Sequence, residues 1–202
     1  MFTRLIKISA VDDPAISEAG ELIKRGELAA FPTETVYGLG ANAFDPIACK
    51  KVFAIKKRPS DKPLSLLVSD MEMIRQLAFI SPKAERLIKK FMPGPLTLIL
   101  PARSEKTTIG IRMPDHAIAL ALIRAAGLPI AAPSANLSGR PSPKTAAEVL
   151  NDLGGKIPLI LDGGECRLGI ASTIVDVSTD ELKIIRAGAI DRRAIDDAVN
   201  NV

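Results

Sequence analysis

The sequence predicts an α/β fold, a twisted mixed β-sheet flanked by helices, and three observations carry the prediction. Short apolar runs bounded by Gly or Pro alternate with helix-length amphipathic stretches along the first half of the chain. Asp13-Pro14, Asp45-Pro46 and Ser81-Pro82 each read as an N-cap residue followed by the proline favoured at the first helical position. Farther on, the apolar runs follow one another over connections short enough for antiparallel pairing, so the sheet is mixed and not purely parallel.

Taken in order, the first helix runs from Pro14 to Arg25 and is closed by Gly26, and Leu28-Ala29-Ala30-Phe31 is the strand that follows. A second helix starts at Asp45-Pro46 and reaches Ile55, ahead of a buried strand from Leu64 to Val68. The third spans Ser81 to Phe91, strands lie at Leu96 to Leu100 and Ile109 to Met113, and Asp115 to Ala126 is a helix stopped by Gly127. Leu128 to Ala132, Ile157 to Leu161, Ser172 to Val177 and Leu182 to Arg186 complete the strands, with helices at Lys144 to Asp152 and Arg192 to Asn200. The chain contains no internal repeat, low-complexity tract or long linker, and Pro93-Gly94-Pro95 lies inside the apolar pattern. Its 202 residues suffice to bury a full core, so residues 1–202 are expected to form one domain.

Apolar residues at 47% and charged ones at 25% are ordinary for a globular protein. Trp is absent and Tyr37 is the single tyrosine, which removes the aromatic platforms used to stack single-stranded bases. A net charge of +4 is compatible with anionic ligands such as nucleotides or tRNA. Cys49 and Cys166 have neither metal-ligand spacing nor a disulfide framework, so both are read as packing residues in a reducing cytoplasm. Charges interrupt the apolar stretch at Phe2 to Lys7, and no run reaches the roughly 18 apolar residues of a membrane span, so neither export nor anchoring is expected.

Four short segments carry the chemistry: Phe31 to Gly40 (FPTETVYGLG), Lys56-Lys57-Arg58-Pro59, Ile111-Arg112-Met113-Pro114 and Ala132 to Gly139 (APSANLSG). Each joins an apolar run to polar or cationic side chains beside Gly or Pro, the composition of ordered loops that meet a ligand. If the second helix ends by Ile55, an extended backbone aims Lys56 and Arg58 to one side, where a planar fork and a point charge suit a polyphosphate. The same cations also suit a helix C-terminus, where they complement the carbonyl dipole. Ser134 and Asn136 offer a hydroxyl and a carboxamide to phosphate or ribose oxygens, or simply form a turn. Arg112 sits within an apolar strand, which requires a buried carboxylate or a ligand as partner. The glycines of Phe31 to Gly40 do not form a phosphate-binding Gly-Lys-Ser/Thr loop, no dinucleotide fingerprint or zinc-ligand set is present, and His116 at a helix start reads as a surface or capping residue.

In this order and spacing, the four segments resemble the YrdC family of threonylcarbamoyl-AMP synthases. Further matching stretches are Met92 to Thr97 (MPGPLT), Gly169 to Asp176 and Leu182 to Gly188, so the resemblance covers about Ala15 to Ile190. It implies a YrdC-like fold and a nucleotidyltransferase that condenses L-threonine, bicarbonate or CO2, and ATP to L-threonylcarbamoyladenylate and pyrophosphate. That product feeds the threonylcarbamoyl modification of adenosine in tRNA through downstream transfer proteins, and a direct contact with tRNA is compatible with the charge. Matched by position, the family's Lys-x-Arg and Ser-x-Asn tetrad is Lys56, Arg58, Ser134 and Asn136, assigned to catalysis and ATP. The resemblance also implies Ser60, Thr108, Ser142 and Arg186 on the ATP side. On the threonine side it implies Thr33, Ser65, Arg112, the backbone of Ala132, and Ser172, with Arg112 as carboxylate clamp and Thr33 or Ser172 as reader of the hydroxyl.

The chain departs from many relatives at Met92, where Trp is usual, at Ala171, where Glu is usual, and at Lys144, inserted between Pro143 and Thr145. With no acidic metal cluster in the sequence, Mg2+ is expected to arrive with ATP, held by phosphates and water. Two other readings stay open: an RNA-binding or ribosome-associated paralogue on the same fold, suggested by Lys50, Lys51, Lys56, Lys57 and Arg58, and a carbamoyl-adenylating module acting on another acceptor.

Overall fold

The structure is a computed structural model that describes residues 2–104 and 107–200. In chain order its elements are β1 (Arg4–Lys7), α1 (Pro14–Lys24), β2 (Ala29–Phe31), β3 (Gly38–Asn42), α2 (Pro46–Lys56), β4 (Leu66–Leu67), α3 (Met71–Leu77), α4 (Pro82–Phe91), β5 (Leu96–Pro101), β6 (Thr108–Arg112), α5 (Ala117–Ala126), β7 (Ile130–Ala131), α6 (Ala146–Leu153), β8 (Leu159–Asp162), β9 (Thr173–Asp176), β10 (Lys183–Arg186) and α7 (Arg192–Asn200). The strands form one sheet in the order β1-β8-β2-β3-β7-β4-β6-β5-β9-β10. It is mixed, as the short late connections predict: β1/β8, β2/β8, β4/β6 and β5/β9 are parallel and the remaining neighbours antiparallel.

The proline-marked starts behave as read. Asp13 accepts from the Ala15 amide, Asp45 from those of Ile47 and Ala48, and Ser81 from that of Ala84, each with proline next in the chain. Thr145 and Glu148 cap α6 reciprocally. Three elements were not read from the sequence. β1 carries a charge at each end and lies at the sheet edge; β3 is rich in glycine yet is held between β2 and β7; α3 has seven residues and a single buried one, Ile74. Several boundaries also shift by one or two residues, and the one that matters for the site is at α2, which takes in Lys56 and ends on Lys57 in the left-handed region at φ 52°, so no extended backbone follows Ile55.

Alternation along the strands sorts the side chains into core and site. Leu96, Leu98 and Leu100 of β5, Ile111 of β6 and Val175 of β9 pack with Ile74 of α3, Leu87 and Ile88 of α4 and Ile195 of α7. Each such side chain contributes about 1.5–3 kcal/mol by leaving water. The intervening residues Thr97, Arg112 and Ile174 face the other side, where loops take the place of helices around a cleft. Two further clusters support the sheet: α1 and α5 pack over Phe31 and Leu161, and α2 and α6 over Tyr37, Leu39 and Ile160. Met92 packs at the edge of the first cluster and Cys166 lies inside the α2/α6 cluster, both as core residues. Among the described residues, no helix is long and apolar enough to cross a membrane.

Candidate active site

The register of the sheet assembles the cleft. Leu67 on β4 pairs with Arg112 on β6, Thr97 on β5 with Ile174 on β9, and Ile174 with Arg186 on β10, and continuing the β5/β6 register sets Thr97 opposite Arg112. One row across five strands therefore brings Arg112, Thr97 and Arg186 to the same face. Ser65 and Ser172, two residues before Leu67 and Ile174, and Ala132, two after the Ile130 that pairs with Leu67, continue that face, and the loop bearing Thr33 to Tyr37 closes one side. Of the residues expected from the sequence, Thr33, Arg58, Ser65, Arg112, Ala132, Ser134, Ser142, Ser172 and Arg186 all line this cleft.

Arg112 finds the buried carboxylate its position requires. Its Nη2 donates to Glu34 Oε2 at 2.6 Å and to Thr33 Oγ1 at 3.4 Å, and its Nε donates to the Gly94 carbonyl at 3.2 Å. Burial lowers the pKa of this guanidinium, and Glu34 acts in the opposite direction. Gly94 is needed for this geometry, since a Cβ there would lie 2.4 Å from the Phe91 carbonyl oxygen. Nη1 takes no part in these bonds, so Arg112 retains a donor nitrogen while lining the cleft. Behind the pair, Glu34 Oε1 and His116 Nδ1 are buried without a hydrogen-bond partner among the described residues. His116 stands at the N-cap of α5 but makes no side-chain capping bond, so the capping expectation does not hold, and burial keeps its pKa low.

The expected tetrad divides into two layers. Arg58 and Ser134 line the cleft, and Arg58 is braced by donation to the carbonyls of Lys62 and Pro63. Lys56 and Asn136 lie beneath. Lys56 is 1% exposed, and its Nζ donates to the carbonyl oxygens of Ser134 and Asn136, with Asn136 Oδ1 at 3.4 Å. The Asn136 amide is spent on the carbonyls of Leu137 and Arg140. Both residues were expected at the phosphates; here they tie the end of α2 to the Ser134 loop, because helix geometry carries Lys56 inward. Burial, then the charge of Arg58, lowers the Lys56 pKa to about 8, while Asp152 acts in the opposite direction. Lys56→Met is expected to lower stability by about 1–3 kcal/mol, the cost of leaving buried acceptors unmade. Denaturant titration checks this, and an unchanged midpoint would show the ammonium to be dispensable to the loop.

Ser60 and Thr108 are exposed and do not line the cleft, Thr108 lying four residues before Arg112 along β6. Thr33 lines it, but its hydroxyl is engaged within its own turn: Oγ1 lies 2.7 Å from the Val36 carbonyl and 2.8 Å from Thr35 Oγ1, and accepts from the Thr35 and Val36 amides. Ser172 Oγ lies 2.8 Å from Thr97 Oγ1 and accepts from Arg186 Nη2 at 3.1 Å. The Ser172 segment is held close by Gly188, where a Cβ would come within 2.5 Å of backbone atoms of residues 171–173. Ala171 lines the cleft, and Lys144 packs along Gly169 with its carbonyl accepting from the Cys166 amide.

Sequence reasoning missed Thr35, Thr97 and Tyr37 as lining residues. The signal for Thr97 was a lone polar residue alternating with Leu96 and Leu98 in a strand. Arg58, Arg112 and Arg186 give the cleft its charge, and no Asp or Glu is among its lining residues. The Arg186 pKa is lowered first by burial and then by the charges of Arg112 and Arg58. Such a site accepts phosphates and carboxylates, with hydroxyls to orient them. Among the described residues, no group of three or more His, Cys, Asp or Glu side chains is placed to hold a metal ion.

Comparison with known proteins agrees with this chemistry. Residues 21–188 match the profile of a family described as "Telomere recombination", which groups Sua5, YciO and YrdC. A Bacillus subtilis protein named threonylcarbamoyl-AMP synthase is 46% identical over 203 residues, an alignment covering 96% of this chain and 59% of that protein. A Pyrococcus abyssi protein of the same name is 45% identical, over 95% of this chain and 59% of its own length. The crystal structure of P. abyssi Sua5 complexed with L-threonine superposes with a TM-score of 0.93 at 44% identity, covering 99% of this chain and 62% of that one. The chain thus spans about three-fifths of the length of these relatives.

Proposed function

The chain belongs to the Sua5, YciO and YrdC family, and on that premise we propose that it condenses L-threonine, bicarbonate or CO2, and ATP to L-threonylcarbamoyladenylate and pyrophosphate. The observation that carries the reading is the cleft lined by Arg58, Arg112 and Arg186 with hydroxyls around them and no carboxylate. In the first step the neutral amine of threonine attacks carbon and forms the N–C bond: with CO2 the nitrogen then loses a proton to give the carbamate, and with bicarbonate a C–O bond also breaks and water leaves. A carbamate oxygen then attacks the α-phosphorus of ATP, and the bond to the bridging oxygen breaks to release pyrophosphate. The carbamate is already an anionic nucleophile, so catalysis of the second step rests on positioning and charge stabilisation.

In this reading Arg112 takes the amino-acid carboxylate with its free nitrogen while Glu34 and Gly94 fix its plane. Arg58, Arg186, Ser134 and Ser142 face the nucleotide, and Mg2+ enters as part of the ATP complex. Lys56 and Asn136 act through the loop they anchor. The product is a mixed anhydride, which suits handover in the cytoplasm to a protein that transfers the threonylcarbamoyl group to tRNA.

The test is pyrophosphate release from MgATP and bicarbonate with and without L-threonine, with the adenylate identified by mass. Release that depends on both threonine and bicarbonate is the expected result. Release independent of threonine, or none with all substrates present, overturns the assignment.

A further inference from the structure

Ser172 has a hydrogen-bonding problem that its neighbours solve. Its side chain and that of Thr97 are almost wholly enclosed, with residue exposures of 4% and 2%, and both line the cleft. Ser172 Oγ has two lone pairs and one hydrogen. Arg186 Nη2, which can only donate, takes one lone pair at 3.1 Å, while Arg186 also donates through Nε and Nη2 to the Ser172 carbonyl at 3.1 and 2.8 Å. Thr97 Oγ1, at 2.8 Å, can either accept the Ser172 hydrogen or donate to the second lone pair.

An oxygen that accepts from a guanidinium is polarised and becomes a stronger donor. Its hydrogen goes to the best acceptor within reach. When a substrate oxygen enters the cleft, Thr97 can turn its own hydrogen onto Ser172, and Ser172 then presents its hydrogen outward with both lone pairs filled. We propose that Thr97 is a positioning residue that sets Ser172 as a hydrogen donor to the side-chain hydroxyl of the amino-acid substrate. This inference rests on the functional reading above. Thr33 cannot fill the same role so readily, because its hydroxyl already serves the turn that carries it. The methyl of Thr97 packs beside Gly110, 3.6 Å from where a Cβ would stand, so valine at this position keeps the shape and removes only the hydroxyl.

The experiment compares wild type, Thr97→Val and Thr97→Ser, measuring kcat/KM for L-threonine and L-valine, the KM for ATP and the melting temperature. Thr97→Val is expected to reduce the preference for threonine over valine about tenfold, the size of one hydrogen bond, through a raised KM for threonine. Thr97→Ser restores the preference, and the KM for ATP stays unchanged. A preference unaffected by Thr97→Val, or one lost equally in Thr97→Ser, overturns the role of Thr97 while leaving the synthase reading intact. A wild type that binds L-threonine but shows no threonine-dependent pyrophosphate release overturns the synthase reading and this inference with it.

Discussion

Glu34→Ala is expected to destabilise the protein by about 3–5 kcal/mol, because it leaves the Arg112 guanidinium buried without its counter-charge. The magnitude follows from placement. Glu34 and Arg112 side chains are 1% and 8% exposed, and their bond is 2.6 Å long, so water compensates little for a missing partner. A surface ion pair such as Lys89 with Glu85, whose side chains are 73% and 46% exposed, gives the contrasting case of about 0–1 kcal/mol. Denaturant unfolding of Glu34→Leu, Arg112→Met and the double variant separates coupling from the intrinsic cost of each change. The double variant should be more stable than the sum of the singles predicts, since removing both charges leaves no orphan. Additive losses would mean that the two side chains do not pair in solution. Glu34→Gln keeps a hydrogen bond to Arg112 but no charge, and the cost should be smaller than for alanine.

Those two residues also mark how much could be read beforehand. A cation inside an apolar strand demanded a partner, and the sequence said so; that Glu34 supplies it depends on a contact across 78 positions, which no local pattern records. The proline-led helices were legible because N-caps act over a few residues. β3 was not, because Gly38-Leu39-Gly40-Ala41-Asn42 has poor strand propensity and is a strand through pairing on both sides. Most of the residues singled out beforehand line one cleft. Lys56 went inward because α2 runs one residue farther than read, and its partners Ser134 and Asn136 come from 78 and 80 positions away. Thr97 belonged to a matching stretch but was not assigned to the site, since a single threonine in a strand is ordinary β-structure until Ser172 is set beside it.

The remaining large effect concerns the choice of amino acid. In the proposed function, threonine, serine and valine share the carboxylate assigned to Arg112 and differ at the side chain: serine lacks a methyl, and valine replaces the hydroxyl by a methyl. A missing methyl costs about 1–3 kcal/mol, or roughly 10–200-fold in kcat/KM, whereas a site that hydrogen-bonds a hydroxyl rejects the analogue without it by about 10⁴-fold. The asymmetry arises because valine strands polar groups of the site without partners, while serine leaves only unfilled space. In the proposed reading Ser172 is the reader, because it is enclosed and accepts from Arg186. With ATP and bicarbonate saturating, kcat/KM should therefore fall in the order threonine, serine, valine, with the wider gap before valine. If valine performs as well as serine, the cleft does not read the hydroxyl, and Arg112 with simple shape would be all that selects the substrate.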